Sequence, residues 1–199
     1  MSSEVNIYNL SLLRVGHSET VAAINESSLA AQLCRVLYAQ TRDFVLGDFP
    51  WRFAKKRVAL AQKAATPPAE WSYAYAMPSD CLRVRSIVTP GNRTPKVEDQ
   101  VAFETMVDEN DDPVIYCDLP QAELIYTMKI TETGRFDAAF VSSLSFAMGA
   151  ELAIPLRGKP DIAQMMRQAY SQSVSQAAAK SLNEGFEQTP ECSFISVRG

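Results

Sequence analysis

A single histidine limits the nucleophilic chemistry open to this chain. His17 is the only histidine, so a Ser-His-Asp or Cys-His set must use it as the base, and no G-x-S-x-G elbow stands anywhere to present a serine. It follows Gly16 at the end of a predicted helix, which places it in solvent. The four cysteines, Cys34, Cys81, Cys117 and Cys192, stand singly with no C-x-x-C spacing. Neither a zinc site nor a dithiol pair is expected from them. They read as reduced, mostly buried small hydrophobes of a cytosolic product.

The acidic residues offer two further chemistries. Asp108-Glu109-Asn110-Asp111-Asp112 has the composition of a calcium loop. Such a loop needs a sharp-turn glycine and a glutamate at its twelfth position, and Pro113 and Leu119 stand there instead. It reads as a solvated acidic turn, with a weak divalent site as the alternative. Carboxylate pairs for glycoside cleavage can be nominated from Glu26, Asp43, Asp80 and Glu151. Among 23 acidic residues, sequence alone selects no two at the required separation of about 5–9 Å.

Two aromatic clusters complete the candidates. Trp51 and Phe53 are interleaved with Arg52, Lys55, Lys56 and Arg57, a pattern suited to stacking on single-stranded nucleic acid. The net charge of −4, with no long run of one sign, argues against a dedicated nucleic-acid binder. The preferred reading has Trp51 and Phe53 closing a core while the cations face outward or meet acidic neighbours. Trp71, Tyr73 and Tyr75 alternate at strand spacing, which suits core or subunit interface better than an exposed ligand stripe. No catalytic, cofactor-binding or metal-ligating set emerges, and the chain is not expected to be an enzyme.

The chain has 199 residues, 47% hydrophobic and 21% charged, the make-up of a soluble globular protein with one domain or one domain and an elaboration. No apolar stretch is expected to reach the roughly 20 residues that span a bilayer, so no membrane is expected. Met1-Ser2-Ser3-Glu4 has no basic start and no apolar run after it, so no secretory signal is expected.

Helical periodicity occupies both ends. A first helix runs from about Val5 to Val15 on Ile7, Leu10 and Leu13, and Gly16 ends it. A second starts at Ser27 or Ser28 and runs to about Leu46, with Leu29, Leu33, Val36, Leu37 and Phe44 on one side and Gly47 as its stop. A third, from Asp137 to about Leu156, is apolar nearly all round and belongs at the centre. Pro155 ends or kinks it. A fourth runs from Pro160 to about Asn183, and its small residues Ala169, Ser173, Ala177 and Ala178 suit close packing between neighbouring subunits.

The middle carries period-two signals. A strand is expected near Val58 to Gln62, another from Trp71 to Met77, and a third over Leu82 to Ile87. Val114 to Cys117 and Glu123 to Ile130 read as a hairpin. The predicted fold is mainly α, of the α+β class: a four-helix bundle from residues 1–63 and 132–185, an antiparallel β insertion over 64–131, and an extended C-terminal arm over 186–199.

Three segments, in this order, resemble a known family. They are Asn9-Leu10-Ser11-Leu12-Leu13-Arg14-Val15-Gly16, Asp48-Phe49-Pro50-Trp51-Arg52-Phe53-Ala54-Lys55-Lys56-Arg57, and Trp71-Ser72-Tyr73-Ala74-Tyr75-Ala76-Met77-Pro78-Ser79-Asp80-Cys81-Leu82-Arg83-Val84. With the late Phe136-Asp137-Ala138-Ala139-Phe140, they resemble the head-to-tail adaptors of tailed bacteriophages, the tail tubular protein A or gatekeeper family of short-tailed phages. The resemblance covers about Asn6 to Asn183. It implies a virion structural protein without a cofactor, forming a ring of about twelve subunits beneath the portal protein. Such a ring extends the DNA channel, lets duplex pass without sequence-specific binding and carries the tail tube or nozzle protein. The arm, with Phe186, Phe194, Ile195, Val197 and Arg198, is expected to order on the portal or a neighbouring subunit. The alternatives are a phage-encoded cell-wall polysaccharide hydrolase and a monomeric helical interaction or regulatory protein.

Overall fold

Three short polar side chains start three of the helices. Ser3 accepts the Asn6 N–H at 3.2 Å to open α1 (Glu4–Arg14). Ser28 accepts the Ala31 N–H at 3.3 Å to open α2 (Leu29–Asp48). Asp137 accepts the Phe140 N–H at 2.6 Å to open α3 (Ala138–Arg157). Each satisfies a donor that the first turn leaves without an intrahelical partner. In α4 (Pro160–Asn183) the first residue is proline, whose missing N–H costs nothing there. The computed structural model describes residues 3–64, 66–92 and 99–183. The arm residues Phe186, Phe194, Ile195, Val197 and Arg198 lie outside them.

The chain is of the α+β class, with four α-helices and two small antiparallel sheets among the described residues. α3 is central, as its all-round apolar composition predicts, packing against α1, α2 and α4. Its 20 residues have the length and hydropathy of a membrane-crossing helix, so the expectation that no stretch reaches that length is corrected. Within this fold Phe140, Leu144, Met148 and Leu152 are fully buried against the other helices. Close packing is visible at Gly149, where a Cβ would lie 3.4 Å from Met166 and 3.5 Å from Val15. Pro155 does not stop α3; it sits within the last turn, and the helix ends at Gly158 with φ 63°, a left-handed conformation that suits glycine.

The β half is built from β1 (Lys55–Ala59), β2 (Tyr73–Ala76), β3 (Cys81–Val88), β4 (Phe103–Val107), β5 (Pro113–Cys117) and β6 (Glu123–Met128). One sheet has the order β1-β6-β3 and the other β2-β5-β4. Their shared core takes Tyr75, Ile115 and Cys117 from the second sheet and Ile87, Leu124 and Tyr126 from the first. Three expectations are corrected. The strand placed at 58–62 begins earlier, at Lys55, because it pairs with β6. The expected hairpin of 114–117 with 123–130 does not form, since β5 and β6 belong to different sheets. β5 instead pairs with β4, a strand of mostly exposed residues with no clear apolar alternation, across the acidic turn.

The two halves meet at the end of α2. That helix does not stop at Gly47 but continues to Asp48. The Gly47 carbonyl accepts hydrogen bonds from Arg83 at 2.9 Å and Arg85 at 2.8 Å, both on β3. Cations belong there, because the C-terminal carbonyls of a helix carry partial negative charge. Lys129, just after β6, pairs with Asp43 of α2 at 2.9 Å.

Candidate interaction surface

Most residues nominated for chemistry have structural partners. Trp51 is buried, donates its indole N–H to the Val45 carbonyl at 2.8 Å, and meets Phe49, Phe53 and Phe140 in edge or tilted ring contacts. Phe53 also packs on Phe136 and Phe140. These aromatics join α2 to the start of α3, as core closure requires. Of the interleaved cations, Lys56 pairs with Asp80, Arg57 with Glu123, and Arg52 bonds the Ser181 carbonyl at 2.8 Å. They meet acidic or carbonyl partners of their own chain.

The tyrosine strand also faces inward. Tyr75 is buried and donates to the Leu119 carbonyl at 2.7 Å. Its neighbour Ala74 is buried in a separate cluster with Val114 and Tyr116, against which Trp71 packs. β2 is therefore covered on both faces at its centre, not half-buried. Tyr73 is partly buried and stacks on Tyr75 with ring centres 6.3 Å apart.

The acidic turn is closed by a cation of the chain. Lys63 donates to both Asp108 and Asp112, and the Asp108 carboxylate also accepts the Asn110 and Asp112 N–H groups. Bonding to Lys63 holds Asp108 below the ordinary carboxylate range and raises Lys63 in turn. Among the described residues, no group of three metal-ligating side chains occurs.

The nominated carboxylates are dispersed. Asp43 serves Arg42 and Lys129. Asp80 accepts from Lys56 and Tyr126, each at 2.7 Å, which depresses its pKa. Glu26 caps the Ala22 N–H at 2.7 Å. Glu151 alone of the four stands exposed without such a bond among the described residues. His17 is half-buried, not in open solvent, and its Nε2 has no hydrogen-bond partner among the described residues. Cys34 and Cys117 are buried, and burial pushes the Cys34 thiol up to about 12, which leaves it inert at neutral pH.

The surface left unexplained is on the helices, and it comes from the apolar side of α2. In α2 the buried residues are Ala30, Ala31, Cys34, Tyr38, Thr41, Arg42, Val45 and Leu46. The apolar side read from the sequence is divided: Leu33 and Leu37 are half-buried against the core, while Leu29 is 61% exposed, Val36 76% and Phe44 60%. α1 shows a smaller version, with Leu13 outward and Tyr8, Ser11 and Leu12 buried. α2 is thus apolar over far more than the arc its own fold covers.

Beside that stripe runs a trough. Its floor is Ala147, Ala150 and Glu151 of α3, one wall is Leu37, Gln40, Thr41 and Phe44 of α2, and the other is Arg167 and Tyr170 of α4. Its volume is about 380 Å³. At one end it is closed by Tyr170, whose ring lies 6.1 Å from that of Phe44 and whose hydroxyl donates to Asp48 at 2.7 Å. Burial and the Asp48 carboxylate both keep that phenol protonated. Ile154, 53% exposed, continues the floor line at i+4 from Ala150. A second groove, of about 360 Å³, lies where α4 ends, between Phe49, Phe53, Ala177 and Lys180.

Of the small residues of α4 expected between subunits, Ser173 and Ala177 are used within the chain. The Ser173 hydroxyl is 2.8 Å from that of Ser143 on α3, and Ala177 is buried in the main core. No family model and no curated protein matches the chain.

Proposed function

We propose that the chain is a structural head-to-tail adaptor of a tailed phage, a virion protein whose copies form a ring between the portal protein and the tail. In this reading the helices from both chain ends act as one bundle that builds the ring, and the β insertion faces a partner layer. The observation that carries it is the ordered series of segments from Asn9 to Val84. They fall on α1, on the aromatic turn after α2 with the start of β1, and on β2 with the start of β3. A mildly acidic subunit suits a channel through which duplex must slide, since strong phosphate binding would arrest it. A ring also needs contact surface beyond each subunit's own core, and the open apolar face of α2 supplies such surface. The arm beyond residue 186 is assigned to docking on the portal or a neighbour.

Electron microscopy of this chain mixed with its cognate portal protein tests the reading. A new layer of density under the portal, with rotational symmetry, is the expected result. A portal that stays bare overturns it. Deleting residues 186–199 is expected to weaken docking and leave the subunit folded by circular dichroism; undiminished docking overturns the role of the arm.

One observation favours a second reading, a monomeric interaction protein that takes a single helical partner. The trough between α2 and α4, about 380 Å³, is walled by Leu37 and Phe44 on one side and Tyr170 on the other. The mass of the complex formed with portal separates the two, because only the adaptor reading gives many copies per portal.

A further inference from the structure

The second groove, of about 360 Å³, opens beside the last turns of α4. Phe49 and Phe53, after α2, line it together with Ala139 of α3 and Ala177 of α4. Both phenylalanines pack on the main core yet stay half-buried. The groove also carries positive charge. Arg52 and Lys180 line it and both are exposed, and Arg52 is fixed there by the Ser181 carbonyl. The one carboxylate among its described lining residues, Asp137, accepts the Phe140 N–H at the start of α3. An aromatic side chain with acidic neighbours matches such a groove. Its ring meets other rings edge-on or tilted, and its carboxylates meet the cations.

The chain brings that chemistry to the groove itself. α4 ends at Asn183, three residues past the groove-lining Lys180. Phe186 is the next aromatic residue, three further on. Those three residues reach at most about 11 Å. Gly185 stands between them, and glycine lets a chain reverse without strain. Glu184 and Glu187 flank Phe186, and no cation follows before Arg198. A tether this short gives the ring an effective concentration in the millimolar range at the groove. Another copy's arm does not reach that at micromolar protein.

We infer that Phe186 seats in this groove of its own subunit, against Phe49, Phe53 and Ala177, with its flanking carboxylates on Arg52 and Lys180. Residues 188–199 then depart from the joint between α2 and α3, and it is these that remain for a portal or a neighbour. The inference does not rest on the adaptor reading. Its failure leaves that reading standing, and a bare portal leaves this one standing.

Limited chymotrypsin digestion of the full chain, followed by mass spectrometry, tests it against the synthetic peptide 183–199. The enzyme cuts after aromatic residues, and the arm holds two of them, Phe186 and Phe194. Relative to the peptide, cleavage after Phe186 is expected to slow about tenfold, because a seated bond is cut only from its open form. Cleavage after Phe194 is expected at the peptide's rate. The protection should be the same from low micromolar to several hundred micromolar protein. Lys180→Glu, at an exposed side chain, is expected to weaken it about threefold. Adding Glu187→Lys, with the same change in the reference peptide, is expected to restore it. Cleavage after Phe186 at the peptide's rate overturns the inference. So does protection that grows with concentration, which assigns the groove to a second copy's arm, protection equal at Phe186 and Phe194, or protection untouched by Lys180→Glu.

Discussion

The β half of this molecule closes its polar side chains on itself, and the helical half does not close its apolar ones. In the sheets and their turns, Lys56 meets Asp80, Arg57 meets Glu123, and Lys63 meets Asp108 and Asp112. In the helices, α3 is enclosed over its middle, with Phe140, Leu144, Met148 and Leu152 fully buried, while its neighbour α2 leaves Leu29, Val36 and Phe44 uncovered. The contrast follows from how each half can satisfy itself. A strand end or turn can place a cation over a carboxylate locally. A helix apolar over most of its circumference needs neighbours on every side, and α2 has its main neighbour only in α3. Where a fold leaves such surface uncovered, the missing layer is the place to look for a partner.

The largest expected effect tests whether the helical half depends on its aromatic joint. Trp51→Ala removes a fully buried indole and its bond to Val45, and should destabilise by about 3–5 kcal/mol in denaturant unfolding. A loss below about 1 kcal/mol would mean that the joint is not what holds α2 to α3. Next comes Gly149→Val, which forces added carbons against Met166 and Val15. Overpacking of this kind costs about 1–3 kcal/mol, and calorimetry should show a lowered Tm.

The β half should respond to acid. Asp80 has its pKa depressed by bonds from Lys56 and Tyr126, so its stabilising effect is present above the unfolded value of about 4. It is lost as pH falls through the lower, folded value. Because the Lys56–Asp80 pair is part-exposed, the effect is held to under about 1 kcal/mol. Asp80→Asn should therefore flatten the acid limb of a stability–pH profile between about pH 5 and pH 2. An unchanged limb would show that the pair adds nothing. The smallest effect is a gain: Gly47→Ala places a Cβ with nothing within 4 Å in a helical turn, and should raise stability by about 0.5–1 kcal/mol.

Much of this fold is legible in the sequence, and the helices most of all. Ser28, Asp137, Pro160 and Gly158 mark boundaries because caps act locally, through atoms within three or four residues. α3 could be placed at the centre from composition alone. How far the apolar sides of α1 and α2 are covered could not be read: Ile7, Leu33 and Leu37 pack on the core, while Leu13, Val36 and Phe44 stand outside. Periodicity finds the apolar arc of a helix, but when that arc is wider than one neighbour can cover, it does not say which edge stays outside. The same limit applies to the strands. The residues of β5 and β6 are recognisable, yet their pairing is set by the partners each finds across the chain, and the short loop between them suggested a hairpin that tertiary packing overrides. β4 escaped notice because only Phe103 is partly buried, and it holds its place through backbone bonds to β5. Of the candidate surface, the stripe residues were all visible at the outset as one apolar side, but not which of them the fold covers, Leu33 and Leu37, and which it leaves open, Leu29, Val36 and Phe44.

Arg83 and Arg85 reach from one strand to a single carbonyl at the last turn of α2. Mechanically this is a fixed joint at the end of a rod. Force applied to the sheet passes through two guanidinium groups into the axis of α2 and travels along the helix that bears the open stripe. A push on one half of the molecule would then tilt the surface presented by the other, so that a load on the sheet becomes a torque at the apolar face.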